Sequence, residues 1–271
     1  YDIRGSMSKY LLIFDADNTI WDTNAVFESA QLALLNVLSN ANLLKDPELH
    51  LKTLRTVDKE LFTRLGKFEY NFKLLATTLT YYYLYNLPLK DAIDYSVGKE
   101  SSQICASNQA KNIIDNAYNA LRENLEKIPE LYPDTNLMFS SLDKLKSSNC
   151  LITILLTEGN SNRISQILEA RDSVKSFFDK VLIVSQKSKS EFERAKKIGL
   201  NLLSEQNNNY ESTILMSIGD SLKRDIKFGN QVGLITVYKP SYFMGVEIPS
   251  QEDETPSYEI NSLSELPSLL N

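Results

Sequence analysis

KYLLIFDADNT, Lys9 to Thr19, is the stretch on which the fold turns. The apolar run from Tyr10 to Phe14 reads as a strand covered on both faces, because a half-exposed strand would alternate polar and apolar side chains. It stops abruptly at Asp15 and Asp17. Positions i and i+2 of an extended chain face the same way, about 7 Å apart. Both carboxylates are therefore expected to look into one site, where their mutual repulsion calls for a partner.

Outward from that strand the chain has two textures. From Asn24 to about Pro129 it reads as successive helices. VFESAQLALLNVL places Val26, Ala30, Ala33, Leu34, Val37 and Leu38 at helical spacing. DPELHLKTLRTVDKELFTRL opens with an Asp46 cap followed by Pro47. The long stretch from Asp91 to Ile128, with Gly98 and a polar middle, reads as two helices. From Leu131 onward short β-branched or apolar runs alternate with helical ones. Strands are expected at 151–156, 181–185, 213–218 and 233–238, with YEI near the C-terminus as a short edge strand. Such alternation implies an α/β fold, a doubly wound, Rossmann-like parallel sheet with right-handed crossovers. An all-helical block after the first strand then reads as an insertion, a cap over residues 23–130. The core is left to residues 7–22 and 131–271.

Composition narrows the setting. With 271 residues, 42% hydrophobic and 24% charged, the chain has material for a sizeable core. A net charge of −6, with both signs mixed along the chain, argues against nucleic acid and anionic membrane as partners. No apolar run reaches the roughly 18 residues needed to span a bilayer. LLIF is too short for a signal h-region and runs straight into Asp15. Cys105 and Cys150 lie apart, without a CxxC partner or a nearby histidine, and read as buried free thiols. A soluble, reduced, cytoplasmic protein is the expectation. YDIRGS, residues 1–6, reads as an expression-tag remnant ahead of Met7.

In open parallel sheets ligands bind beyond the carboxyl ends of the strands, so those ends are read together. The first carries Asp15 and Asp17 and the second Thr157-Glu158-Gly159-Asn160. Lys187 follows the third, and Asp220, Ser221 and Asp225 follow the fourth in SIGDSLKRDI. Several carboxylates in one cleft raise each other's pKa and destabilise the fold unless a cation meets them. An oxygen-only ligand set suits a hard divalent ion, Mg²⁺ above all. Thr157 and the backbone N–H groups of the Glu158-Gly159-Asn160 turn suit an anion. Lys189 stands two residues beyond Lys187. A capping box from Ser188 to Glu191 would leave Lys187 in the loop and Lys189 in the first helical turn, which favours Lys187 for the site. Together these groups suit phosphoryl transfer. Asp15 would be the nucleophile and Asp17, kept proton-bearing by its neighbours, the general acid and base. Thr157, Glu158 and Lys187 would bind phosphate. Asp15, Asp220 and the Asp17 carbonyl would hold Mg²⁺, with Ser221 and Asp225 orienting them.

These residues resemble the haloacid dehalogenase superfamily, mostly Mg²⁺-dependent phosphatases. DADNT matches its first motif, Thr157 in LLTEGN its second, Lys187 its third and GDSLKRD its fourth, in order and each after a strand. The resemblance covers Tyr10 to Asp22 and about Leu131 to Leu270. It implies a Rossmann-like core, a nucleophile at Asp15, an acid/base at Asp17, and a type-one helical cap that closes over the site and selects substrate. Two departures stand out: the lysine stretch lacks the common Lys-Pro pair, and Glu158 stands where many members carry Asn. The expected ligand is a small-molecule phosphate ester, nucleotide and sugar phosphates both open, bound by a monomer or homodimer. A phosphosugar mutase of the same superfamily and a catalytically silent binding protein on the same scaffold are the alternatives. The tyrosine-rich TLTYYYLYNLPL reads chiefly as a core helix, His50 as structural or solvent-facing, and Trp21 as an anchor for the turn after the first motif.

Overall fold

The computed structural model describes residues 8–65, 71–98, 107–205, 212–241 and 247–270. Residues 1–6 and Cys105 lie outside them. The chain divides into two compact units, Tyr1–Asn24 with Ile128–Asn271, and Ala25–Lys127.

The first unit is built on a six-stranded sheet in the order β3-β2-β1-β4-β5-β6, every neighbouring pair parallel. The strands are β1 (Lys9–Phe14), β2 (Leu151–Glu158), β3 (Lys180–Val184), β4 (Thr213–Gly219), β5 (Ile235–Tyr238) and β6 (Tyr258–Glu259). The apolar run of β1 follows from its central place. Tyr10, Leu12 and Phe14 pack on one face with Met138, Phe139, Phe177 and Phe178, while Leu11 and Ile13 pack on the other with Phe192, Ala195 and Leu203. Helices therefore cover both faces, and neither parity of the strand has a reason to be polar. They include Thr135–Ser147, Ser161–Glu169, Asp172–Phe177 and Lys189–Glu205.

Two strand limits depart by two residues from the apolar runs, and the rest lie within one residue of them. The second strand continues two residues past Leu156 to Glu158, because polar Thr157 and Glu158 still pair with Ile183 and Val184 of β3. The fifth begins at Ile235 rather than Gly233. Gly233 instead ends the short helix Lys227–Gln231 with a left-handed φ of 73°. Its N–H donates to Asn230 O at 3.0 Å and that of Leu234 to Gly229 O at 3.0 Å, the pattern by which a glycine satisfies a helix's last carbonyls.

The second unit is helical, with Leu51–Leu65, Lys73–Leu84, Leu89–Gly98 and Asn108–Leu125 joined by most of Thr23–Asn40. Leu34, Leu38, Leu54, Leu61, Leu79 and Ala117 are fully buried in its core. Pro47–His50 forms a 3₁₀ turn before Leu51, and Asp46 adopts a φ of 50° with no side-chain capping bond. The cap expected there is not made, since a left-handed Asp46 does not aim its carboxylate at the first turn. The tyrosines of Lys73–Leu84 mostly meet one another. Tyr81 stacks on Tyr85 with centroids 5.2 Å apart and meets Tyr95 edge-on at 5.0 Å. Tyr83 Oη and His50 Nδ1 are 2.7 Å apart, which gives the only histidine a structural partner.

Among the described residues no helix is long and apolar enough to cross a membrane. Cys150 is a buried free thiol.

Close packing of helix on sheet is sharpest at Gly199, where a Cβ would stand 2.3 Å and 2.6 Å from the two methyl carbons of fully buried Leu11. Gly199→Ala is expected to lower stability by about 1–3 kcal/mol through overpacking. In a double-mutant cycle with Leu11→Ala, thermal unfolding should show the pair losing less than the sum of the two single changes.

Candidate active site

The register of the sheet sets the site. Phe14, the last residue of β1, stands opposite Leu155 of β2 and Ile218 of β4. The chain beyond Phe14 thus emerges between two strand ends that carry Thr157 and Asp220. Asp15 N–H still donates to Ile218 O at 2.8 Å, which ties the first residue after the strand to β4.

Lys187 is the centre of the arrangement. Its side chain is 4% exposed, and its ammonium donates to Asp15 Oδ1 and, at 2.6 Å, to Asp225 Oδ1. Burial alone would lower the pKa of this ammonium, but Asp15 and Asp225 outweigh it and hold it above the ordinary lysine range. Lys189 lies exposed at the start of the helix Lys189–Glu205, 3.9 Å from Glu193. Half of the expected capping box is present: Glu191 N–H donates to Ser188 Oγ at 3.4 Å, while the Glu191 carboxylate turns to Arg194.

Asp225 reaches Lys187 by an unusual route. After β4 the chain makes a π-helical turn, Leu222–Ile226, in which the Ser221 carbonyl accepts from both Asp225 N–H (2.9 Å) and Ile226 N–H (3.2 Å). Such turns are frequent at functional sites. It folds Asp225 back so that Oδ2 accepts from Ser221 N–H at 3.1 Å. Gly219 permits this, because a Cβ there would stand 2.3–2.5 Å from the Asp225 side chain.

The two aspartates of the first motif part company. Asp15 is buried, with Thr19 Oγ1 donating to its Oδ2 at 3.2 Å. The Asp17 carboxylate accepts from Trp21 Nε1 at 2.8 Å and from the Thr23 hydroxyl, both at Oδ1. The chain leaves the strand after Phe14 and turns, with Asn18 at a φ of 60°. The simple alternation expected of an extended chain therefore ends before Asp17. Buried Lys239, from the end of β5, donates to Asn18 O at 3.3 Å and steadies this turn.

Three carboxylates, Asp15, Asp220 and Asp225, offer ligand atoms within 4.8 Å of one another. An all-oxygen set facing the Lys187 ammonium fits a hard divalent cation, with Asp15 and Asp220 the expected ligands. Without a cation both are strained electrostatically. Asp15 is raised to about 7 by burial, countered in part by Lys187 and reinforced by Asp225 and Asp17. Asp220 is raised to about 8 by burial and by the charges of Asp15 and Asp225.

Thr157 is fully buried at the end of β2. Glu158 follows it, and its carboxylate accepts from the Lys187 backbone N–H and from Arg224 Nη1, the latter at 2.8 Å. Gly159, at a φ of 145°, turns the chain into the helix Ser161–Glu169, whose first N–H groups are capped by Asn160. Sequence reasoning missed Arg224, the Glu158 carboxylate contacts and the Thr23 bond to Asp17. The position of Arg224 inside GDSLKRD was the available signal. Trp21, read as an anchor, does brace the turn through Asp17.

No family model matches the sequence, and no curated protein does. Solved structures match along almost the whole length. The protein YfnB from Bacillus subtilis, described as a HAD-hydrolase bound to magnesium, is 22% identical with a TM-score of 0.54, covering 97% of this chain and 99% of its own. A haloacid dehalogenase-like family hydrolase from Xanthomonas campestris is 18% identical with a TM-score of 0.53, covering 98% and 96%. A HAD phosphatase from Thermococcus onnurineus is 16% identical with a TM-score of 0.50, covering 97% and 98%.

The raised carboxyls give a pH signature. An acid whose folded pKa exceeds its unfolded value contributes stability below the unfolded pKa and loses it as pH rises through the folded one. For Asp15 and Asp220 that window runs from the ordinary 3.8 to about 7 and about 8. Lys187, titrating far above it, contributes throughout. The metal-free protein should therefore lose thermal stability between about pH 4 and 8 from these groups, and added Mg²⁺ should raise Tm more at pH 8 than at pH 5.5. Equal Mg²⁺ shifts at both pH values would show that these carboxylates do not take the ion. The sheet order, the site geometry and these near full-length matches together give the chain the fold of the haloacid dehalogenase-like hydrolases.

Proposed function

We propose that the chain is a Mg²⁺-dependent phosphatase that hydrolyses a small-molecule phosphate monoester through an aspartyl-phosphate on Asp15. The observation that carries this reading is the buried Asp15 carboxylate, held at the strand end by Lys187 with Asp220 beside it. A buried carboxylate with a fixed ammonium and a cation-competent neighbour is what nucleophilic attack on phosphorus needs. The magnesium of the YfnB structure and the phosphatase from Thermococcus onnurineus accord with it.

Asp15, Asp220 and the backbone carbonyl of Asp17 would hold the ion. Bound there, Mg²⁺ would offset charge on the transferring phosphoryl group. An Asp15 oxygen attacks phosphorus as the bond to the ester oxygen breaks, and Asp17 gives that oxygen its proton. Asp17 then takes a proton from water, whose oxygen displaces Asp15 and releases inorganic phosphate. Lys187 and Thr157 hold the phosphoryl oxygens through both steps, and Asp225 keeps the lysine aimed at them. Trp21 and Thr23 fix the direction of the Asp17 carboxylate between its two proton transfers.

A panel of phosphate monoesters with and without Mg²⁺ tests the reading. Turnover should require the metal and disappear in Asp15→Asn. Lys187→Ala should cut kcat/KM by ~10²–10³-fold, and Lys189→Ala should have a much smaller effect. Metal-independent turnover, full activity in Asp15→Asn, or no monoester hydrolysed by folded protein would overturn it.

A further inference from the structure

The Glu158 carboxylate has no part in the steps just described, yet it sits at the last position of β2, next to Thr157. Its two oxygens go to two different elements. Oε1 accepts from the backbone N–H of Lys187, in the loop after β3, and Oε2 takes Arg224 Nη1 at 2.8 Å, in the π turn after β4. One carboxylate thus ties three strand ends together. Arg224 Nε also stands 3.5 Å from Ser221 Oγ.

Two physical points make this more than a surface ion pair. The ammonium of Lys187 is fixed at its far end by Asp15 and Asp225, but a lysine stem has four rotatable bonds and adapts to a shifted backbone. Glu158 fixes the near end, at the main chain, so both ends of the side chain are set. The second point is charge. An uncompensated carboxylate beside Thr157 would repel a phosphoryl group, and Arg224 offsets it. The Arg224 side chain is 49% exposed and that of Glu158 22%, so the pair itself contributes little to stability. Its effect is on geometry and local charge.

We propose that Glu158, backed by Arg224, is a positioning residue that sets the backbone of Lys187 for phosphoryl binding. This rests on the phosphatase reading for its kinetic consequence, but not for its structural one. The test compares Glu158→Ala, Glu158→Gln, Arg224→Met and the double variant Glu158→Gln/Arg224→Met. Amide hydrogen exchange of Lys187, followed by NMR in the metal-free protein, reads the tether without any turnover. Glu158→Ala should speed that exchange by ~10-fold or more as the N–H loses its acceptor, and Glu158→Gln, which keeps one, should restore protection. In turnover, Glu158→Ala should lower kcat/KM by ~10–100-fold, mostly in kcat, with Glu158→Gln intermediate. Arg224→Met, leaving Glu158 uncompensated, should raise KM, and the double variant should reverse much of that rise. Unchanged Lys187 exchange in Glu158→Ala, or equal loss of protection in the Ala and Gln variants, would overturn the proposal. Failure of the phosphatase reading would appear separately, as absent Asp15-dependent turnover with the exchange result intact.

Discussion

Everything at the carboxyl edge of this sheet depends on one buried ammonium. Lys187 lies between Asp15 and Asp225, nearly without solvent, and a buried charge lacking partners costs several kcal/mol. The end of β1, the loop after β3 and the π turn after β4 must therefore arrive together. That requirement explains features that look unrelated in the chain. Gly219 is bare because the Asp225 side chain occupies the space of its missing Cβ, and the Ser221 carbonyl serves two N–H groups so that Asp225 can double back.

The same edge is left short of positive charge. Three carboxylates cluster around the Lys187 ammonium, and burial raises two of them far above the ordinary range. A core selected for stability alone would not hold such a set, since apolar side chains of similar size would be cheaper to bury. The deficit is local: Arg224 offsets Glu158, and Trp21 and Thr23 donate to the Asp17 carboxylate. What remains uncompensated is confined to the place where a cation and a phosphoryl group would meet.

Much of this was legible because the signals are local and strongly typed. Nearly continuous apolarity in YLLIF and LITILL reads as strands covered on both faces, and acids, a hydroxyl and a lysine at strand ends come together at one edge. The choice of Lys187 over Lys189 needed only the helix start after it. Less legible were contacts set by three-dimensional closure. Nothing in LLTEGN says that the Glu158 carboxylate will meet an arginine far along the chain, nor that Asp17 will swing towards Thr23 once the strand turns. Strand limits failed where polar residues still pair, as at Thr157 and Glu158, and where a glycine belongs to the preceding helix, as at Gly233. The tyrosines of TLTYYYLYNLPL, read chiefly as part of a core helix, include Tyr81 packed ring on ring with Tyr85 and Tyr95.

The central position of β1 also has a kinetic side. Tyr10 pairs with Leu151 and Lys9 with Thr213, so the strand that leads into Asp15 finds neither neighbour until most of the chain exists. Closing such long loops makes formation of the sheet slow relative to a helical bundle of the same size. The helical unit, whose contacts are nearer in sequence, is able to collapse first. During synthesis an exposed YLLIF segment waits for partners, and that interval is where this protein is most open to misassembly.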